Sequence, residues 1–98
     1  MGHIIGLSFN DSGEDRAWLD PLIRSAPYFA GYDEQSQAYA FRDPDAPAGG
    51  DPTPDCEVWI RGDGLEFNWL SGERAPKVVY EFLVERLRAR LVQVRENF

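Results

Sequence analysis

Few side chains in this sequence could carry acid–base, nucleophilic or metal chemistry. His3 is the single histidine and Cys56 is the single cysteine. A catalytic base needs an orienting partner and a zinc site needs several Cys or His ligands, so neither can be assembled from these two residues. Asp55 and Glu57 flank Cys56, and their negative charges disfavour a reactive thiolate. The sequence therefore predicts a structural cysteine on a strand, no metal, no cofactor and no enzymatic activity.

Carboxylates are the remaining candidates, because the chain has 17 Asp and Glu against 10 Lys and Arg. Four of the acids lie in the segment 43–55, DPDAPAGGDPTPD, whose four prolines and two glycines predict a flexible loop. Asp43 and Asp45 are followed by neither the third ligand nor the glycine turn that a calcium loop requires. Gly49-Gly50 lacks the Lys-Ser/Thr of a phosphate-binding loop. We interpret the segment as a solvated linker, with contact to a basic partner as the alternative.

The tripeptide Arg61-Gly62-Asp63 matches an adhesion motif, but a tight turn explains it better. With Asp63-Gly64 at the centre of a type I′ turn, Arg61 lies opposite Glu66. The alternative turn, Gly62-Asp63 in type II′, shifts the register by two, sets Trp59 opposite Glu66 and loses the Arg61–Glu66 pair. Cross-strand pairs contribute only about 0.2–1 kcal/mol, so the first register is favoured by a small margin. The start of the sequence has no basic segment followed by an apolar run, so neither secretion nor receptor binding is expected.

Both registers give this hairpin the same two faces. The apolar face carries Val58, Ile60, Leu65, Phe67 and Trp69. The other face carries Glu57, Trp59, Arg61, Glu66 and Asn68. Trp and Arg are over-represented at binding hot spots, so we predict that these five residues form a protein-binding surface. The competing interpretation is that a helix, a loop or another strand covers Trp59.

Strand and helix patterns alternate before this hairpin. Residues 4–9, IIGLSF, predict a strand that could pair inside the sheet or at an edge. A helix follows, with Ser12 as its cap and one apolar face. That face consists of Trp18, Leu19, Leu22 and Ile23. Pro21 either interrupts this helix or lies in the first turn of a second helix that Asp20 caps.

A hairpin of residues 28–32 and 37–41 is predicted around DEQS, with Tyr32 opposite Gln37. Its bulky face, which we expect in the core, consists of Tyr28, Tyr32, Tyr39 and Phe41. Its small face consists of Phe29, Gly31, Ala38 and Ala40. From Pro76 onward one long helix is predicted. Its apolar stripe consists of Val79, Tyr80, Leu83, Val84, Leu87, Leu91 and Val94.

Together these elements predict one α+β domain over residues 1–98. It has a single, mostly antiparallel sheet of about five strands, in the order β-α-β-β-β-β-α, with two helical segments packed on one face. No apolar run approaches the ~18 residues of a membrane span, so no membrane partner is expected. The net charge is −7, with −10 over residues 1–73 and +3 over residues 74–98. The acidic body repels phosphate backbones, so no nucleic-acid partner is expected.

These observations support three hypotheses about function. The first is a small acidic cytoplasmic protein that acts as a non-enzymatic protein–protein interaction module and neutralises a basic partner such as a toxin. The second is a homodimeric structural or accessory domain, since two-fold dimers are the commonest assemblies. The third is a small-molecule binder that uses a pocket between the sheet and the C-terminal helix. No motif in the sequence indicates a family.

Overall fold

The computed structural model describes residues 3–9, 17–44, 54–62, 64–90 and 94–97. In chain order the described elements are β1 (His3–Phe9), α1 (Leu19–Arg24), β2 (Phe29–Asp33), β3 (Ala38–Phe41), β4 (Cys56–Arg61), β5 (Gly64–Trp69), α2 (Arg74–Arg90) and β6 (Val94–Asn97). The strands form one sheet in the order β2-β3-β4-β5-β1-β6. All neighbouring strands are antiparallel. The predicted α+β class is confirmed, with six described strands in place of about five.

Both helices pack on one face of the sheet. The apolar side chains that alternate along β1, β3, β4 and β5 meet those of α1 and α2 in one buried cluster. Its largest fully buried members are Phe41, Phe67, Leu7, Leu19, Ile23, Leu83 and Leu87. Burial of a Leu, Ile or Phe side chain contributes about 1.5–3 kcal/mol, so this cluster provides the main driving force for folding. The predicted apolar face of the β4–β5 hairpin lies here, although Ile60 stays 37% exposed.

The C-terminal segment differs from the prediction of one continuous helix. Within α2 the stripe behaves as expected, because Val79, Leu83, Val84 and Leu87 are buried. The helix ends at Arg90, and Val94 belongs to β6, which pairs with β1. The 3.6-residue spacing continues by coincidence into this short strand, so periodicity alone could not show the break. Leu91 lies outside the described residues. None of the described helices is long and apolar enough to cross a membrane.

The short helix α1 shows how the chain accommodates Pro21. Trp18 is the N-cap and makes no side-chain cap hydrogen bond, so the prediction that Asp20 caps this helix is wrong. Pro21 lies in the first turn, as one alternative predicted, where a backbone N–H would have no partner within the helix. Asp20 instead accepts a hydrogen bond from the Tyr39 hydroxyl at 2.6 Å and from Arg24 Nε at 3.0 Å. The predicted cap Ser12 lies outside the described residues.

The β2–β3 hairpin has a different register from the predicted one. Tyr32 pairs with Tyr39 rather than with Gln37. Asp33 explains the shift, because its carboxylate accepts hydrogen bonds from the Gln35 N–H and the Ser36 hydroxyl and so extends the loop. A bulge between Phe29 and Gly31 breaks the alternation. Phe29 therefore joins the aromatic side of the hairpin, with its ring centroid 5.7 Å from that of Phe41, and its predicted place on the small face is wrong.

Candidate functional site

The candidate site is the face of the sheet opposite α1 and α2. We call it the open face. It includes residues of β1 to β5, namely Ile4, Gly31, Asp33, Ala40, Glu57, Trp59, Arg61, Glu66 and Asn68. These side chains alternate with the buried ones along their strands, and period-two alternation places them on the other side. The five residues predicted to bind protein are thus brought together on two adjacent central strands.

The β4–β5 register is the alternative that the sequence favoured less. Trp59 pairs with Glu66, and Arg61 pairs with Gly64. The favoured register is therefore wrong, although its face assignment is confirmed. The Arg61–Glu66 ion pair still forms in this register, because Arg61 Nη2 reaches diagonally to Glu66 Oε2 at 3.0 Å. Long side chains span such diagonal positions, so the expected loss of this pair in the second register is also wrong. Residue 63, and with it the turn type, lies outside the described residues.

Trp59 is half-buried and is part of a connected group. The Arg61 guanidinium carbon lies 5.6 Å from the centroid of the Trp59 ring, within cation–π range. Arg61 is thus held by Glu66 and Trp59 at the same time. The described helices α1 and α2 pack on the opposite face of the sheet, so neither of these two helices covers Trp59. An exposed ion pair of this kind contributes about 0.2–1 kcal/mol, so the group orders the surface more than it stabilises the fold.

Glu57 and Asn68 face each other across the same strand pair and are less well satisfied. Burial raises the pKa of the half-buried Glu57 carboxyl, and the negative charge of Asp33 raises it further. Within the described residues no cation pairs with Glu57. The Oδ1 atom of Asn68 is buried and accepts no hydrogen bond from any described residue. Beside Asn68 in the register lies Ile4, which is 56% exposed.

Asp33 and Ile4 were not among the predicted site residues. Asp33 was assigned to a hairpin loop, and Ile4 was one of six residues in a strand of unknown position. The placement of Ile4 depends on β1 pairing with β5, a contact between residues about 60 positions apart in the chain. The one available signal was the alternation of Ile4 with Ile5 and Leu7, which assigns Ile4 to the side opposite the core.

The ends of the predicted flexible loop are structural rather than mobile. Asp43 is only 4% exposed and forms an ion pair of 2.6 Å with Arg74. Its N–H donates to the Asp55 carboxylate at 3.0 Å, and the Asp55 carbonyl accepts from the Leu70 and Ser71 N–H groups. The ion pair explains why Asp43, the first acid of the rejected calcium pattern, faces the interior. Residues 45–53 lie outside the described residues.

The reactive-residue types do not converge on a catalytic arrangement. Cys56 is fully buried on β4, and burial raises the pKa of its thiol, with smaller contributions from Asp55 and Glu57. His3 is exposed at the start of β1. No group of three His, Cys, Asp or Glu residues in the described ranges is placed to hold a metal ion.

A concave site lies between α2 and the edge strand β6. It has a volume of about 410 Å³ and is lined by Tyr80, Glu81, Val84, Glu85, Arg88 and Glu96. The Tyr80 hydroxyl donates to Glu96 at 2.5 Å, and Arg88 approaches the same carboxylate at 3.3 Å. The Tyr80, Arg88 and Glu96 side chains of this pocket therefore pair with one another. Comparison with protein-family models, with curated proteins and with solved structures finds no match to this chain.

Proposed function

We propose that this chain is a non-enzymatic protein-binding module of the cytoplasm, and that a basic protein partner docks on its open face. One observation carries the proposal. The sheet buries its apolar side under two helices, and its other side presents Trp59 and Ile4 among carboxylates. A flat surface of this kind suits a protein partner, whereas small ligands favour concave sites. Trp is enriched among the residues that dominate binding energy.

Charge complementarity supports a basic partner. The chain carries a net charge of −7. On the open face Arg61 is engaged by Glu66, whereas Glu57 and Asp33 raise the local negative potential. Such a field steers basic proteins towards the surface and repels acidic ones. Neutralisation of a basic partner such as a toxin is one role that this surface would suit.

The proposal is tested by affinity capture from the source cell's lysate at low and high salt, followed by hydrogen-exchange mapping of the complex. A partner that binds at stoichiometric level, is basic and protects β4, β5 and β1 supports it. The matched variants are Trp59→Ala and Phe82→Ala. Phe82 lies on α2 with the Arg86 guanidinium carbon 5.0 Å from its ring centroid, so it reproduces the Trp59–Arg61 arrangement away from the open face. Equal loss of binding in both variants, or protection of the helices alone, contradicts the proposal.

A second copy of the chain is the competing occupant of the open face. Light scattering at micromolar concentration distinguishes the two occupants. If the chain is a dimer and Trp59→Ala dissociates it, the open face binds a second copy of the chain rather than a basic partner.

Small-molecule binding is the second candidate function. The α2–β6 pocket favours it, since its volume of about 410 Å³ is in the range of ligand sites. Its Tyr80, Arg88 and Glu96 side chains already pair with one another, so a ligand would have to compete with the Tyr80–Glu96 hydrogen bond. Screening by thermal shift, with Tyr80→Phe as the variant, tests this candidate separately from the open face.

A further inference from the structure

We propose that the open face binds one cationic side chain of its protein partner, a lysine or an arginine, at Glu57, with Asp33 in a diagonal position two strands away. This inference rests on the proposed function and specifies its central contact.

The first observation is a carboxylate without a cation in the middle of the sheet. Glu57 lies on β4, with strands on both sides. The nearest arginine on the same strand and face is Arg61, and its guanidinium is held by Glu66 and the Trp59 ring. Half-buried carboxylates are ordinarily paired, because desolvation penalises an isolated charge. A partner that delivers a positive charge to Glu57 relieves this penalty.

The second observation is the small floor between Glu57 and Asp33. In the register Glu57 lies beside Ala40 on β3, and Ala40 lies beside Gly31 on β2. A Cβ atom added to Gly31 would meet nothing within 4 Å, so the surface there is open. Neighbouring strands are about 4.8 Å apart, which places the Glu57 and Asp33 strands about 10 Å apart. Asp33 lies two residues further along β2 than Gly31, opposite the buried Ala38, so a Lys or Arg stem that reaches both acids crosses the small residues Ala40 and Gly31 diagonally.

The third observation is that a second unsatisfied group lies directly opposite Glu57. The buried Oδ1 of Asn68 accepts no hydrogen bond from the described residues. Buried polar atoms in native proteins nearly always have a partner, so each exception requires an explanation. The Asn68 Oδ1 atom and the Glu57 carboxylate are acceptors, and ammonium and guanidinium groups supply several N–H donors. A buried acceptor without a donor and a carboxylate without a cation among the described residues point to the same kind of ligand.

The experiment is an NMR titration of the intact chain with three end-blocked peptides: tetra-arginine, tetra-lysine and tetra-glutamine. We expect at least one cationic peptide to cause saturable shifts at the amides of Gly31, Asp33, Glu57, Trp59 and Asn68, and tetra-glutamine to cause none. Glu57→Gln should weaken binding by about tenfold or more, as expected for a charge-assisted contact. Glu73→Gln removes the same charge from an exposed position just before α2, outside both candidate sites, and should leave the affinity within about twofold, because exposed charges act weakly at a distance.

A melting-temperature measurement separates loss of the site from loss of the fold. Since the pKa of Glu57 is raised, its ionised form destabilises the folded chain at neutral pH. Glu57→Gln should therefore melt at a higher temperature than the natural chain while binding more weakly. Equal weakening by Glu57→Gln and Glu73→Gln overturns the inference, because it would show that only net charge matters. Absence of saturable shifts with both cationic peptides also overturns the inference. The proposed function would still stand if a captured basic protein protected the open face from hydrogen exchange.

Discussion

Substitution of Gly64 by alanine should be among the most destabilising single-methyl changes in this fold. Gly64 is the first residue of β5 and pairs with Arg61 on one side and Ser8 on the other. A Cβ atom there would lie 1.9 Å from the Leu7 carbonyl oxygen and 2.9 Å from its carbonyl carbon. These are backbone atoms of the neighbouring strand, so no side-chain rotation can relieve the clash. β1 and β5 must separate locally.

The expected magnitude follows from the two interactions that are disturbed. Overpacking in a well-packed region costs about 1–3 kcal/mol. Each ladder hydrogen bond that lengthens beyond its normal distance costs about 0.5–1.5 kcal/mol in addition. A total near 3 kcal/mol corresponds to a decrease in Tm of roughly 12–24 °C, since each kcal/mol shifts a domain of this size by about 4–8 °C.

The assay is thermal unfolding followed by circular dichroism, with Gly31→Ala and Gly62→Ala as controls. At both control positions an added Cβ meets nothing within 4 Å. We expect these two variants to remain within about 1 kcal/mol of the natural chain, as is typical of surface substitutions. A Gly64→Ala protein that melts within a few degrees of the controls would refute the close approach of β1 to β5 at this residue.

Arg74→Ala should lower the free energy of unfolding by about 3 kcal/mol or more, because it takes the cation away from the buried Asp43 carboxylate. Asp43→Ala should lower it by about 1.5–3 kcal/mol, because the 58% exposed Arg74 side chain regains water. Urea unfolding of both variants checks this difference. Cys56 should resist thiol reagents until the chain unfolds, because burial raises its pKa; labelling along a urea gradient measures this. Glu57→Gln should be more stable than the natural chain at pH 7, and the difference should vanish as pH falls through the raised pKa of Glu57 to the ordinary value of a glutamate carboxyl. Asp20→Asn should be less stable than the natural chain at pH 7, because the Tyr39 and Arg24 hydrogen bonds lower the pKa of Asp20 and so stabilise the folded chain when this carboxylate is ionised. This stabilisation is lost as pH falls through the lowered pKa of Asp20. Melting curves from pH 3 to 8 compare both variants.

Alternation and helical periodicity predicted the core because burial depends on which side a residue faces. Leu65 and Phe67 are correctly assigned in either register, since a shift by two leaves every side chain on its own face. Register was harder to predict, because it depends on close contacts that composition does not show. Gly64 was expected at the centre of a turn, yet its proximity to the Leu7 carbonyl gives it a second reason to be glycine.

Long-range pairing accounts for the remaining differences. Val94 matched the helical stripe of α2, and only its position beside Phe9 on β1 makes a strand favourable there. Asp43 was assigned to a flexible loop because its neighbours are Pro, Asp and Gly. The buried carboxylate pairs with Arg74, a partner 31 residues away, which no local pattern identifies. The candidate site shows the same division, since five of its members come from one hairpin and were predicted, whereas Ile4 and Asp33 come from other strands and were not.

The two faces of the sheet satisfy their side chains to different degrees, and this difference supports the proposed binding surface. On the helix side, buried apolar residues fill the space between sheet and helices. On the open face, Glu57 has a raised pKa and Asn68 keeps a buried acceptor without a donor. Glutamine at position 57 would keep the shape and remove the charge penalty, so stability does not favour glutamate there. Local conflicts within an otherwise consistent fold are expected where a surface serves binding rather than stability. These unmet groups favour the β4–β5 face over the α2–β6 pocket, where Tyr80, Arg88 and Glu96 pair with one another, as the proposed place for a partner to bind.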